Sequence, residues 1–154
     1  MVKWYLEIDS DDGFTVNTMK VLTIEAKINN LSRVLAFIDV ELLRAGCRPK
    51  PKMQLDIATE ELFINIARYA YVPDTGDVTI SITICDDPAV AEITFADSGI
   101  PFNPFAKPDP DITLKAEDRS IGGLGVFMVK KAMDEVDYEY RDGLNLTTIR
   151  KKIK

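Results

Sequence analysis

The chain has 154 residues, 46% hydrophobic and 29% charged, which is enough for one sizeable core and too few to divide into two. A net charge of −6 argues against non-specific binding to nucleic acid or anionic lipid. The start MVKWYLEIDS lacks a basic segment followed by an apolar one, and no stretch nears the ~20 apolar residues of a membrane span, so a cytoplasmic protein without direct nucleic-acid or membrane contact is expected.

In chain order, residues 2–8 and 14–17, separated by Asp9-Ser10-Asp11-Asp12-Gly13, suggest a hairpin, and Met19–Ala26 alternates apolar and polar residues as a strand does. Leu31, Val34, Leu35, Ile38, Leu42 and Leu43 recur at helical spacing until Gly46 and Pro49 supply a stop. A second helix is predicted over Met53–Tyr71, with Leu55, Ala58, Leu62, Ile66 and Ala70 on one face. Val78–Cys85 and Ala89–Ala96 are β-branched-rich runs joined by Asp86-Asp87-Pro88 and read as paired strands. Residues 98–121 hold four of the eight prolines in a long irregular stretch, read as a functional lid. Leu124–Val136 is predicted as a third, largely buried helix, followed by strands Asp137–Arg141 and Leu144–Ile153 that turn at Asp142-Gly143.

Cys47 and Cys85 lie far apart and outside any CxxC pattern, so neither a disulfide framework nor a cysteine zinc site is indicated. Histidine is absent, which removes the commonest metal ligand, the usual catalytic acid or base, and any phosphohistidine chemistry within the chain.

Three constellations carry chemistry. The first is Glu61 and Asn65 on the second helix, placed on one face by i, i+4 spacing, with Arg68 a further turn along. An asparagine carbonyl can ligate Mg²⁺, and a neighbouring carboxylate can orient or deprotonate a hydroxyl; alone, such a stripe is more often a solvated helix face than an active site. The second is Phe95-Ala96-Asp97-Ser98-Gly99-Ile100-Pro101-Phe102-Asn103-Pro104, where a strand delivers an aspartate into a turn. Ordinary turn chemistry accounts for these residue types. A buried carboxylate that accepts from the exocyclic amine of adenine, with Gly99 admitting the ring, accounts for them as well. The third is Ile121-Gly122-Gly123-Leu124-Gly125 opening a helix, where backbone N–H groups and the helix dipole favour phosphate and Arg119 stands just upstream. The pattern is neither a P-loop nor a Rossmann fingerprint.

In this order, E-x-x-x-N, D-x-G-x-P-F-x-P, a lid and G-G-L-G resemble the boxes of GHKL ATP-binding domains, and the chain is most similar to the anti-sigma-factor serine kinases over about residues 20–153. The resemblance implies an α+β fold, a two-layer sandwich of a mixed, mostly antiparallel sheet with helices on one face. It divides the chain into an N-terminal extension over 1–19 and a kinase domain over 20–154. It implies ATP and Mg²⁺, with Glu61 as general base and Asn65 as metal ligand. Asp97 would read adenine, Gly99 would line the base pocket, and Gly122, Gly123 and Gly125 would wrap the phosphates near Arg119. Arg68, Phe102, Leu124 and Thr148 are placed beside the nucleotide on the same ground. Related sequences often carry His-Gly where this chain has Tyr69-Ala70, a departure next to the nucleotide.

By the same likeness the partners are an anti-anti-sigma protein offering a serine and a sigma factor, with homodimerisation in keeping with the family. A non-catalytic, nucleotide-gated module that sequesters a partner is the rival reading. A detached histidine-kinase domain ranks last, because its phosphoacceptor would have to lie on another chain.

Overall fold

The computed structural model describes residues 2–7, 17–114 and 124–154. In chain order these form β1 (Val2–Glu7), β2 (Asn17–Glu25), α1 (Leu31–Arg44), α2 (Pro49–Tyr69), β3 (Asp77–Asp86), β4 (Ala89–Asp97), α3 (Leu124–Ala132), β5 (Glu135–Arg141) and β6 (Leu144–Lys152). The six strands make one sheet in the order β1-β2-β3-β4-β6-β5, and the expected mostly antiparallel sheet is antiparallel at every described pairing.

Strand alternation sets the two faces. Val78, Ile80 and Ile82 of β3 are buried while Thr79, Ser81 and Thr83 between them are not, and Ala91, Ile93 and Phe95 of β4 repeat the pattern. In register, Ile80 lies opposite Phe95, and Ile93 lies between Ile82 and Ile149, so one sheet face is a continuous apolar floor. Onto it pack Val34, Ile38 and Leu42 of α1 with Leu55, Ala58, Leu62 and Phe63 of α2. The opposite sheet face keeps hydroxyls and charges, such as the Thr23–Thr79 and Thr94–Thr148 hydrogen bonds and the Arg150–Glu92 ion pair. The result is the expected α+β two-layer arrangement.

Several boundaries differ from the sequence expectation, each for a physical reason. α2 begins at Pro49, a residue read from sequence as a stop; proline also suits the first helical position, where its missing N–H is not needed. β1 pairs with the same long strand that pairs with β3, from Glu7 opposite Asn17 to Val2 opposite Leu22, so residues 17 and 19–25 are one strand rather than two. Residues 14–16 of the expected hairpin lie outside the described residues. Leu43, counted with the apolar face of α1, is 64% exposed, because Leu42 already occupies the inward position.

The third helix ends at Ala132, not Val136. Glu135 and Val136 instead pair with Arg150 and Ile149 in β5, a run that periodicity alone does not separate from helix. Its expected burial is also corrected: within α3 Val129 is buried, whereas Leu124 and Met128 are exposed, since only one side of the helix meets the core. The β5–β6 turn is as read from Asp-Gly, with Asp142 at φ 53° and Gly143 at φ 79°, the geometry of a two-residue hairpin. Among the described residues no helix is long and apolar enough to cross a membrane.

Candidate functional site

The buried face of α2 fixes what its other face presents. With Leu55, Ala58 and Leu62 held in the core, Glu61, Asn65 and Arg68 turn toward a cavity of about 640 Å³, within the usual range for small-ligand sites. Phe95 is fully buried, which ties β4 to the core by about 2–3 kcal/mol and delivers Asp97 two residues later to the cavity wall. The start of α3 contributes Leu124, Gly125 and Val126. All three constellations are therefore represented around one hollow, although Arg119, Gly122 and Gly123 lie outside the described residues.

Asp97 is 4% exposed, and burial pushes its carboxyl above the ordinary carboxylate range, partly opposed by hydrogen bonds from Asn145 and the Gly99 N–H. Both donors reach the same oxygen: Gly99 N and Asn145 Nδ2 each lie 3.0 Å from Oδ1. Among the described residues no hydrogen bond is made to Oδ2. A carboxylate so held offers one unspent acceptor atom at the wall of an otherwise largely apolar recess that includes Ile66, Ile100 and Phe102. Such a recess suits a flat ring that carries an amine.

The turn after Asp97 is fastened to the end of α2. Ile100 N donates to Ala70 O at 3.0 Å, and Ser98 N donates to the Tyr71 hydroxyl at 2.9 Å, which itself donates to Asp77 O at 2.5 Å. Gly99 is required by this approach, because a Cβ there would overlap the carbonyl of Ala70. Gly99 packs against the helix end, with the neighbouring Ala70 and Ile100 on the cavity wall. Phe102, half exposed, and Leu124 stand at the cavity.

Gly125 has a different partner. A Cβ at this position would overlap the carboxylate of Glu61, so the first turn of α3 sits directly over that side chain. The first turn of α3, through Leu124, Gly125 and Val126, thus lines the same cavity as Glu61 and Asn65. Arg68 and Lys107 add positive charge to the wall, and neither forms an ion pair among the described residues. No group of three or more acidic or sulfur ligands arranged for a metal ion occurs among those residues. The donor set, one amide oxygen at Asn65 beside one carboxylate, fits a hard cation that arrives on a phosphate and keeps its waters.

Thr148 is not at the cavity. It lies on the outer sheet face, hydrogen-bonded to Thr94 at 2.8 Å, and Thr147, 5% exposed, lines the cavity in its place. The strand period of two makes the one-residue difference a change of face. Sequence reading also missed Asn145, which stands opposite Asp97 in the β4–β6 ladder, as well as Lys107 at the wall, while Tyr69, noted there as a departure, also lines it. A signal for Asn145 and Thr147 exists: both share the face of Ile149, and polar residues on the apolar side of a strand call for an explanation.

The chain matches the family described as histidine kinase-like ATPase domain over residues 24–151. It is 30% identical over 132 residues to the serine-protein kinase RsbW of Bacillus mycoides strain KBAB4, covering 80% of this chain and 81% of that one. RsbW of Bacillus cereus strain ATCC 10987 is 29% identical over 131 residues with the same shares, and RsbW of Listeria monocytogenes serotype 4a is 29% identical over 108 residues, 67% and 68% of the two chains. With its motif residues gathered on one cavity and this match across most of its length, the chain belongs to the histidine kinase-like ATPase family, among relatives of the RsbW serine-protein kinases.

Proposed function

We propose that the protein is a serine protein kinase of the anti-sigma type, which binds Mg·ATP and phosphorylates a serine of an anti-anti-sigma partner, with a sigma factor as its second partner. The observation that carries this reading is the meeting of Glu61, Asn65 and Asp97 on one cavity under the start of α3. Similarity to chains named serine-protein kinase supports serine as the acceptor.

In this mechanism Asp97 accepts a hydrogen bond from the adenine amine through Oδ2, and the apolar wall receives the ring. Asn65 would hold Mg²⁺ together with phosphate oxygens and water, and the ion when bound neutralises charge on the transferring group. Arg68 and Lys107 add to the positive field around the phosphates. Glu61 takes the proton of the serine hydroxyl as that oxygen attacks the γ-phosphorus, and the departing ADP keeps the bridging oxygen. A partner offering the serine would meet the cavity beside Phe102 and Tyr69, which line it and are exposed.

A general base contributes about 10² to 10⁴ in rate and little to nucleotide binding. Glu61→Gln is therefore expected to keep ATP affinity within a few-fold and to lose phosphotransfer to the partner by that factor, read with labelled ATP and candidate partners encoded nearby. Equal loss of binding and transfer contradicts the role given to Glu61. Complex formation that depends on ATP, with no transfer to any partner by the wild-type protein, assigns the non-catalytic gated module instead.

A further inference from the structure

The inference concerns Asn145, a residue the reaction above does not use, and it rests on the reading that Asp97 recognises an adenine amine. Asn145 is 4% exposed on the core face of β6, where a free amide would be costly, yet every polar atom of its side chain is engaged. Its Oδ1 accepts from the Tyr138 hydroxyl at 2.5 Å and from Phe102 N at 3.0 Å. Its Nδ2 donates to Asp97 Oδ1 and to Ile100 O, each at 3.0 Å, and lies 3.4 Å from Gly99 O.

The amide cannot be turned over. Phe102 N–H is only a donor and Ile100 C=O only an acceptor, so they fix which end of the side chain is oxygen and which is nitrogen. The nitrogen therefore points at Asp97, and its N–H joins that of Gly99 on a single carboxylate oxygen. This leaves Oδ2 for the cavity and favours the ionised, acceptor-only form of Asp97. The same amide links three of the backbone positions that follow Asp97, at Gly99, Ile100 and Phe102, to β6.

We propose that Asn145, oriented by the Phe102 N–H and the Ile100 carbonyl and braced by Tyr138, is a positioning residue that sets the base specificity of the site: it aims the free oxygen of Asp97 at the ring edge and keeps it an acceptor. Adenine presents an amine to such an atom and is accepted. Guanine presents a carbonyl oxygen at the corresponding position and is rejected by oxygen facing oxygen. Without the amide donor, Asp97 rotates more freely and holds a proton more readily, and a protonated carboxyl can donate to guanine. Both changes reduce discrimination.

Among the described residues, the titratable groups around Asp97 are Glu61, Arg68 and Tyr69 from α2, Lys107 from the stretch after β4, and Tyr138 of β5 through Asn145 itself. The direct polar contacts to its carboxylate come from Asn145 and the Gly99 backbone. Burial makes Asp97 a weaker acid and so places the acid limit on amine recognition above the ordinary carboxylate value, and Asn145 opposes that shift.

The test is calorimetric titration of the full chain with ATP and with GTP, each with Mg²⁺, over pH 5 to 8, for wild type, Asn145→Ala and Tyr138→Phe, with thermal unfolding to verify the fold. Wild type is expected to prefer ATP. Asn145→Ala should lose roughly tenfold to a hundredfold of that preference, the worth of a hydrogen bond to a charged group, and its loss of ATP binding on acidification should begin about one pH unit higher. Tyr138→Phe, which keeps the amide and loses only its bracing donor, should fall between. A purely structural role for Asn145 weakens both nucleotides equally and leaves the pH profile in place; that result overturns the proposal, as does an ATP-to-GTP ratio unchanged in both variants. Wild-type protein that binds neither nucleotide, or does not prefer ATP, contradicts the reading of Asp97 and the proposal with it, a result distinct from the first two.

Discussion

A Cβ placed on Gly125 would overlap the carboxylate of Glu61, so the first turn of α3 is in close contact with the side chain that α2 supplies as the proposed base. The obstructing atoms are the tip of a flexible side chain, so an alanine at 125 is expected to displace the carboxylate rather than the backbone.

Gly125→Ala should accordingly lower phosphotransfer by about 10² or more, in the range of a misplaced general base. Stability should be unchanged or raised by up to about 1 kcal/mol, since alanine replaces glycine inside a helix. Initial transfer rates and urea melts report the two effects separately. Unchanged transfer, or a fold lost together with activity, counts against the contact.

The faces of β6 give a paired expectation. Thr147→Val should weaken nucleotide binding several-fold, because Thr147 lines the cavity, whereas Thr148→Val, altering only the hydroxyl pair with Thr94 on the far side, should leave it within about twofold. Titration with ADP distinguishes them. The reverse order of effects would mean that the register of β6 is wrong by one residue.

What the sequence made legible, and what it hid, follows from the range of the interactions. Glu61, Asn65 and Arg68 were readable because helical spacing is local, and Asp97 was readable because an apolar strand ended at a turn-forming run. The Asp142-Gly143 turn was readable for the same reason. Asn145 was not singled out, because its importance lies in a register with β4 across 48 residues of chain, and Thr148 was placed beside the nucleotide by resemblance alone, where the alternation of β6 puts Thr147 on the core face. Gly99 was read for the ligand when its closest constraint is the carbonyl of Ala70, which only packing reveals. The third helix was over-extended since Val136 suits a helix and a strand equally, and its pairing with Ile149 decides.

Tyr71 offers a test of how the site is fastened. Its hydroxyl donates to Asp77 O and accepts from Ser98 N, joining the end of α2 to both neighbouring strands. Tyr71→Phe should lower stability by about 1–2 kcal/mol in urea denaturation and weaken ADP binding by a few-fold as the turn after Asp97 loosens. A change in neither contradicts the bracing role.

Acidity gives a stability prediction with a definite sign. Burial raises the Asp97 carboxyl in the folded protein above its ordinary value of 3.8, so between that value and the raised one the folded state binds more protons than the unfolded state. Stability from this group therefore falls as pH rises through the window and stays lower above it. Asp97→Asn should remove that slope, and Tm measured from pH 4 to 7 should decline less for the variant than for wild type. A steeper decline in the variant would reverse the sign and exclude burial as the dominant influence.

The central claim is that the cavity binds an adenine nucleotide through Asp97. Because Oδ1 already receives two N–H donors, an asparagine at 97 must keep its oxygen there and turn its amide nitrogen to the cavity, setting donor against donor. Calorimetric titration of Mg·ATP into wild type and Asp97→Asn is therefore the most direct measurement. One site per chain in wild type, weakened roughly a hundredfold or more in a folded Asp97→Asn, is the expected result; no binding by wild type, or equal binding by both, contradicts it.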